Sequence, residues 1–162
     1  MKIRPGVLAT AIAAIAAIGT TAVVAQSDPI ATRQNLMKGN DQNARVVIRM
    51  MRGRAPFDAA KADAAFAQWA DTAQKLPGLF PDHSKTGGDT RASPKIWQNK
   101  ADFDAKAAAL AKSVAENRSK AKDLDGLKTA VNAVAPACDN CHELYRLRNL
   151  APPLTSLRNR AS

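Results

Sequence analysis

Near the end of the chain two cysteines stand three positions apart, Cys138 and Cys141, and His142 follows the second directly. On a helix, positions i and i+3 share a face, so both sulfurs can meet one flat partner from the same side. Such a pair can form two thioether bonds to the vinyl groups of one haem. The imidazole alongside then offers a nitrogen to the iron, which is the chemistry of the C-x-x-C-H haem-attachment motif. Three other readings compete. A thioredoxin-like redox pair follows a strand in a βαβ setting, and the sequence shows none. Structural zinc needs four ligands, and only His83 adds to these three without a carboxylate. A plain short disulfide leaves His142 without a role. The motif predicts one covalent haem c.

Four segments that could position this motif carry helical periodicity, and none carries sustained strand alternation. The first spans about Pro29 to Arg52 and closes at Gly53, with Ile30, Met37, Ala44, Val47 and Met51 near one face. The second starts at Asp58, an N-cap candidate, and repeats Ala62, Phe66, Trp69, Ala73 and Leu76 before Pro77-Gly78 stops it. From Leu79 to Ser93 runs a loop with Pro81, Gly87, Gly88 and Asp89. Ser93-Pro94 opens the third helix as N-cap and first helical residue. Ile96, Phe103, Ala107, Leu110 and Val114 form its inner face out to about Arg118.

Asp123 caps the fourth helix, whose stripe of Leu124, Leu127, Val131 and Val134 continues into Cys138, Cys141 and Tyr145. The cysteines therefore point where the core residues point. Pro136 lies inside that stripe, removes one helical hydrogen bond and predicts a kink or break just before the cysteines. Four amphipathic helices with two short connections and one longer one predict an all-α fold. Its form is an antiparallel up-and-down four-helix bundle, with the haem near the C-terminus of the fourth helix.

The start of the 162-residue chain differs in kind from the rest. Lys2 and Arg4 are followed by an apolar run from Val7 to Ile18, and Val23-Val24-Ala25 reads as a cleavage site before Gln26. That order predicts a secretory signal peptide over 1–25 and a periplasmic mature protein. The 21 uncharged residues between Arg4 and Gln26 could also cross a bilayer, but Ala, Gly and Thr dilute them. The bundle is expected over 26–148, and 149–162 reads as a disordered basic tail with Pro152-Pro153 at its base.

The formal net charge is +10, and loss of Lys2 and Arg4 with the leader leaves +8. A basic surface attracts acidic partners, and export removes nucleic acid from their number. Lysines and arginines are spread over every segment, as on ordinary solvated faces; docking to an acidic redox protein is the functional alternative. Seven aromatic residues among many alanines make a thin core, which a large buried cofactor would fill.

Several stretches form a wider pattern. They are Arg33-Gln34-Asn35-Leu36-Met37, Pro56-Phe57-Asp58, Gly87-Gly88-Asp89, Ser93-Pro94-Lys95-Ile96-Trp97 and Cys138-Asp139-Asn140-Cys141-His142-Glu143-Leu144-Tyr145-Arg146. Together, from about Pro29 to Arg148, they resemble the class II c-type cytochromes, the cytochrome c′ family. The resemblance implies that His142 is the proximal axial ligand and that Arg146, one turn later, lies close to it. It also implies that Arg33 sits near a haem propionate, whose charge a guanidinium can offset.

Members of this family divide at one position in the first helix. A non-ligating residue there goes with five-coordinate, high-spin iron that takes up NO or CO; methionine goes with six-coordinate, low-spin iron. Met37, four residues beyond Arg33, falls at that position, and His/Met ligation raises the reduction potential relative to His alone. A core methionine on a helical stripe is the structural alternative. Met50 and Met51 lie about 20 Å further along by helical rise and are expected in core and rim. His83 is expected on a surface loop. The resemblance thus implies a one-electron carrier, not an enzyme, that meets redox protein partners as a monomer or homodimer. The alternative is a five-coordinate protein that binds or buffers NO or CO.

Overall fold

The computed structural model describes residues 28–148, so the expected leader over 1–25 and tail over 149–162 lie outside the described residues. Asp28 opens α1 (Pro29–Met51): its carboxylate accepts the Ile30 N–H at 2.8 Å, and Pro29 takes the first helical position. At the far end Gly53 adopts φ +66°. Its N–H donates to the Met50 carbonyl at 3.0 Å, and that of Arg54 to Arg49 at 2.8 Å. This pair of bonds is a Schellman closure, and the positive φ explains the glycine. Asp58 caps α2 (Ala59–Lys75) by accepting the Lys61 N–H at 3.0 Å, as its position predicts.

Two 3-10 turns, Leu76–Leu79 and Asp82–Ser84, carry the chain off α2. Beyond them the expected third helix forms in two pieces, α3 (Lys95–Gln98) and α4 (Lys100–Arg118). Asn99 separates them at φ −136°, ψ 58°, outside the helical region. The break has a packing cause. Trp97 Nε1 donates to the Phe80 carbonyl at 2.9 Å, and Ile96 is buried, so α3 is tied to the preceding loop. Ser93 still receives the Lys95 N–H on its hydroxyl at 3.3 Å, but Pro94 holds the cap position expected of Ser93.

Asp123 caps α5 (Leu124–Tyr145) by accepting the Gly126 N–H at 2.7 Å. Of the kink or break expected at Pro136, the break does not occur: α5 runs through it without interruption. Only one bond is lost, the one Pro136 would have given to the Asn132 carbonyl. Asn132 and Pro136 both lie on the exposed face, where water can replace the missing donor. Leu127, Ala130 and Val134 are buried on the other face and hold the helix in place.

α1 packs on α2, α2 on α4 and α4 on α5, while α1 and α5 approach each other much less. The result is a four-helix bundle with α3 as a short extra turn. One buried cluster combines Val47, Met50, Phe66, Trp69, Val114 and Leu127. A second gathers Leu76, Phe80, Ile96, Phe103 and Tyr145, with Met37 and Cys141 packed against it. Met50 is core and Met51 a partly buried neighbour, as expected. Among the described residues no helix is long and apolar enough to cross a membrane.

Candidate functional site

The weak seam between α1 and α5 opens into a cavity of about 850 Å³. α5 lines it with Cys138, Cys141 and His142, and α1 with Arg33 and Met37. Leu76, Phe80, Ile96, Phe103 and Val134 make much of the wall apolar. All but one of the predicted site residues therefore come from two facing helices, and Arg146 joins them at the C-terminal end of α5. His83 is exposed in the Asp82–Ser84 turn and takes no part.

Both cysteines are half-buried, and no disulfide joins them. Burial pushes each thiol above its ordinary pKa; Asp139 adds to this at Cys138, while Lys106 works against it at Cys141. Burial also depresses the His142 imidazole, and the Arg146 guanidinium adds to that while Asp139 opposes it. A depressed value favours the neutral ring, which is the form that ligates metal. Among the described residues no three His, Cys, Asp or Glu side chains converge as a metal cluster, so a zinc site finds no support there.

Arg33 is buried, 5% exposed, and its guanidinium is held on every side. Nη1 donates to the Leu79 carbonyl at 3.0 Å and to Ser84 Oγ at 2.9 Å. Nη2 donates to the Ser84 carbonyl at 2.9 Å and to Thr90 Oγ1 at 2.7 Å. The cation also lies 4.7 Å from the Phe80 ring centroid. All four acceptors are neutral. Burial lowers the Arg33 pKa, with Asp28 opposing, so an anion at the cavity wall would find a desolvated positive charge.

The C-terminal end of α5 is fastened to the loop before α3. Ser93 N–H donates to the Tyr145 carbonyl at 2.9 Å and Leu147 N–H to the Arg91 carbonyl at 2.8 Å. Arg146 caps the helix through its own N–H, which reaches the His142 carbonyl at 3.1 Å. Tyr145 donates its hydroxyl proton to Asp102 of α4; burial first and this bond second push its pKa up to about 12. Phe103 meets Tyr145 edge-on at 5.3 Å and Phe80 at 4.7 Å, which makes this side of the cavity rigid and aromatic.

Sequence reasoning missed Asp102, Thr72 and Asn40 at this site. Asp102 and Thr72 contact the cavity residues only across the fold. Asn40 was legible in principle, since it lies three residues beyond Met37 on the same helix face.

Paired thiols, a neutral imidazole and an apolar slot of this size between two helices fit a flat macrocycle with a coordinated iron. They define a bundle-type haem protein. The family model described as "Cytochrome C'" matches residues 28–146, and the chain belongs to the cytochrome c′ family. This family binds haem c covalently, and the protein is a monohaem c-type cytochrome. A cytochrome c′ of Rhodopseudomonas palustris is 40% identical over 91% of this chain and 99% of its own length. A cytochrome c-556 of the same organism is 42% identical over 78% of this chain and 87% of its own. The solved Rhodopseudomonas palustris cytochrome c′ superposes with a TM-score of 0.73, covering 76% of this chain and 99% of that one at 40% identity.

Proposed function

We propose that this protein is a periplasmic one-electron carrier whose haem iron is ligated by His142 and Met37. When bound, the haem supplies an iron that cycles between ferrous and ferric states. Cys138 and Cys141 hold it through two thioether bonds from the half-buried face of α5. His142, kept neutral by burial, presents a nitrogen as proximal ligand, and Arg146 beside it disfavours imidazole protonation. Met37 offers its thioether from α1 and so excludes NO, CO and other external ligands. Arg33, already desolvated and held by neutral acceptors, offsets a propionate charge.

One observation carries the reading: Met37 lines the same cavity as Cys138, Cys141 and His142. The leader over 1–25 supports export, and its loss leaves a basic protein suited to acidic redox partners. Met37→Leu tests the ligand assignment. The substitution removes the only sulfur that α1 contributes to the cavity lining, while keeping an apolar side chain of similar size. A low-spin wild type with a sulfur–iron band should become high-spin and take up CO rapidly. A low-spin spectrum unchanged by the substitution means that Met37 is a core residue and another group ligates the iron, whereas a wild type that is already high-spin puts the five-coordinate, gas-binding reading in its place.

A further inference from the structure

Asn40 stands one turn beyond Met37 on α1, and its Nδ2 lies 3.9 Å from the Met37 sulfur. Both residues line the cavity. The other end of the amide is anchored on α2: Asn40 Oδ1 accepts the Thr72 hydroxyl at 2.9 Å. Thr72 is fully buried, and its oxygen also receives Gln68 Nε2 at 3.2 Å. A hydroxyl carries one proton. In this arrangement Gln68 donates to the hydroxyl, the hydroxyl donates to Asn40 Oδ1, and the amide turns its NH₂ toward Met37. The Asn40 backbone carbonyl takes the Trp69 indole N–H at 3.5 Å, a second tie between α1 and α2. Gly39 permits this close approach, since a Cβ there would lie 3.2 Å from Gln68 Nε2.

We infer that Asn40 is a positioning residue that tunes the Met37 thioether, oriented for this by Thr72. The inference rests on the reading of Met37 as the distal ligand. A thioether sulfur has two lone pairs. One can bind iron, and an N–H directed at the other withdraws electron density from it. A poorer sulfur donor favours ferrous over ferric iron, so the amide raises the reduction potential. The Gln68–Thr72–Asn40 chain ties α1 to α2 and at the same time aims the amide at the cavity wall. It leaves no buried side-chain polar atom unpaired among the described residues.

The test compares the haem-loaded wild type with Asn40→Leu, Thr72→Val, Thr72→Ser and Met37→Leu. The ferric visible spectrum and the midpoint potential are measured for each. Asn40→Leu should lower the potential and shift the sulfur–iron band, and Thr72→Val should do the same by freeing the amide to turn. Thr72→Ser keeps the hydroxyl and should match the wild type, which a purely packing role for Thr72 does not predict. Haem content and helical circular dichroism identify any variant that misfolds, and Asn40→Ala then gives a second view of the lost donor. If Met37→Leu abolishes the band while Asn40→Leu and Asn40→Ala leave potential and band unchanged, the Asn40 inference fails and the ligand reading stands. A Thr72→Val variant identical to wild type overturns the orienting role of Thr72. A wild type with no sulfur–iron band overturns both readings together.

Discussion

Arg33 shows how one side chain can serve two purposes. It stitches α1 to the loop over residues 79–90 through four hydrogen bonds, and it leaves a desolvated cation at the cavity wall. Arg33→Leu removes the donor from four acceptors, two of them buried, and should cost on the order of 2–4 kcal/mol in chemical unfolding. Arg33→Lys should recover only part of this, because an ammonium has three donors and no planar fork. A variant as stable as wild type would show that the loop holds itself. The family resemblance marks Arg33 as an expected haem neighbour, and the structure places it on the cavity wall. Its buried hydrogen bonds were not readable, because every acceptor lies 46 or more residues away. The same holds for Tyr145, which the periodicity marks as core while its partner Asp102 is 43 residues distant.

At the scale of elements, the local signals were the legible ones. Asp58 and Asp123 cap where their positions predict, and Gly53 ends α1, because caps depend on contacts within a few residues. The single third helix and the break at Pro136 were not found for a common reason: tertiary contacts outweighed local preference. Trp97 and Ile96 pull α3 away from α4 at Asn99, and the buried face of α5 carries that helix through Pro136. Pro136→Ala should therefore restore a helical bond and raise stability by about 2 kcal/mol, less a smaller gain in unfolded-chain entropy. A lower melting temperature for this variant would mean that Pro136 shapes the cysteine end of α5.

The link between α2 and α4 also has a pH signature. Arg118 grips Asp63 bidentately at 2.6 and 2.7 Å, and holds its carboxylate below the ordinary 3.8. A depressed folded value means that the unfolded chain binds the proton first. The contribution is thus present above pH 3.8 and is lost as pH falls through the lower folded value. Asp63→Asn should flatten this acid limb of the stability curve, while an unchanged limb would assign it to other carboxylates. Asp63 is well exposed, so solvent screening keeps this contribution small.

For the whole molecule, the bundle is closed along three of its helix seams and open along the fourth, between α1 and α5. With so few aromatic side chains, the two buried clusters leave a cavity of about 850 Å³ between α1 and α5. Under the proposed ligation, haem attached at Cys138 and Cys141 would fill that gap from one side, and Met37 would meet it from the other. The class of fold and the cofactor were legible because helical periodicity and the C-x-x-C-H spacing are both short-range patterns. The use of the cofactor depends on which groups face each other across the seam. That is a property of the assembled bundle, and it is why the central claim concerns both axial ligands at once. The most direct test is the visible absorption spectrum of the purified protein in both oxidation states, with and without CO. A His142/Met37-ligated carrier gives low-spin spectra in both states, a ferric sulfur–iron band, and no rapid change when CO is added to the ferrous form. A high-spin spectrum with fast CO uptake would contradict it.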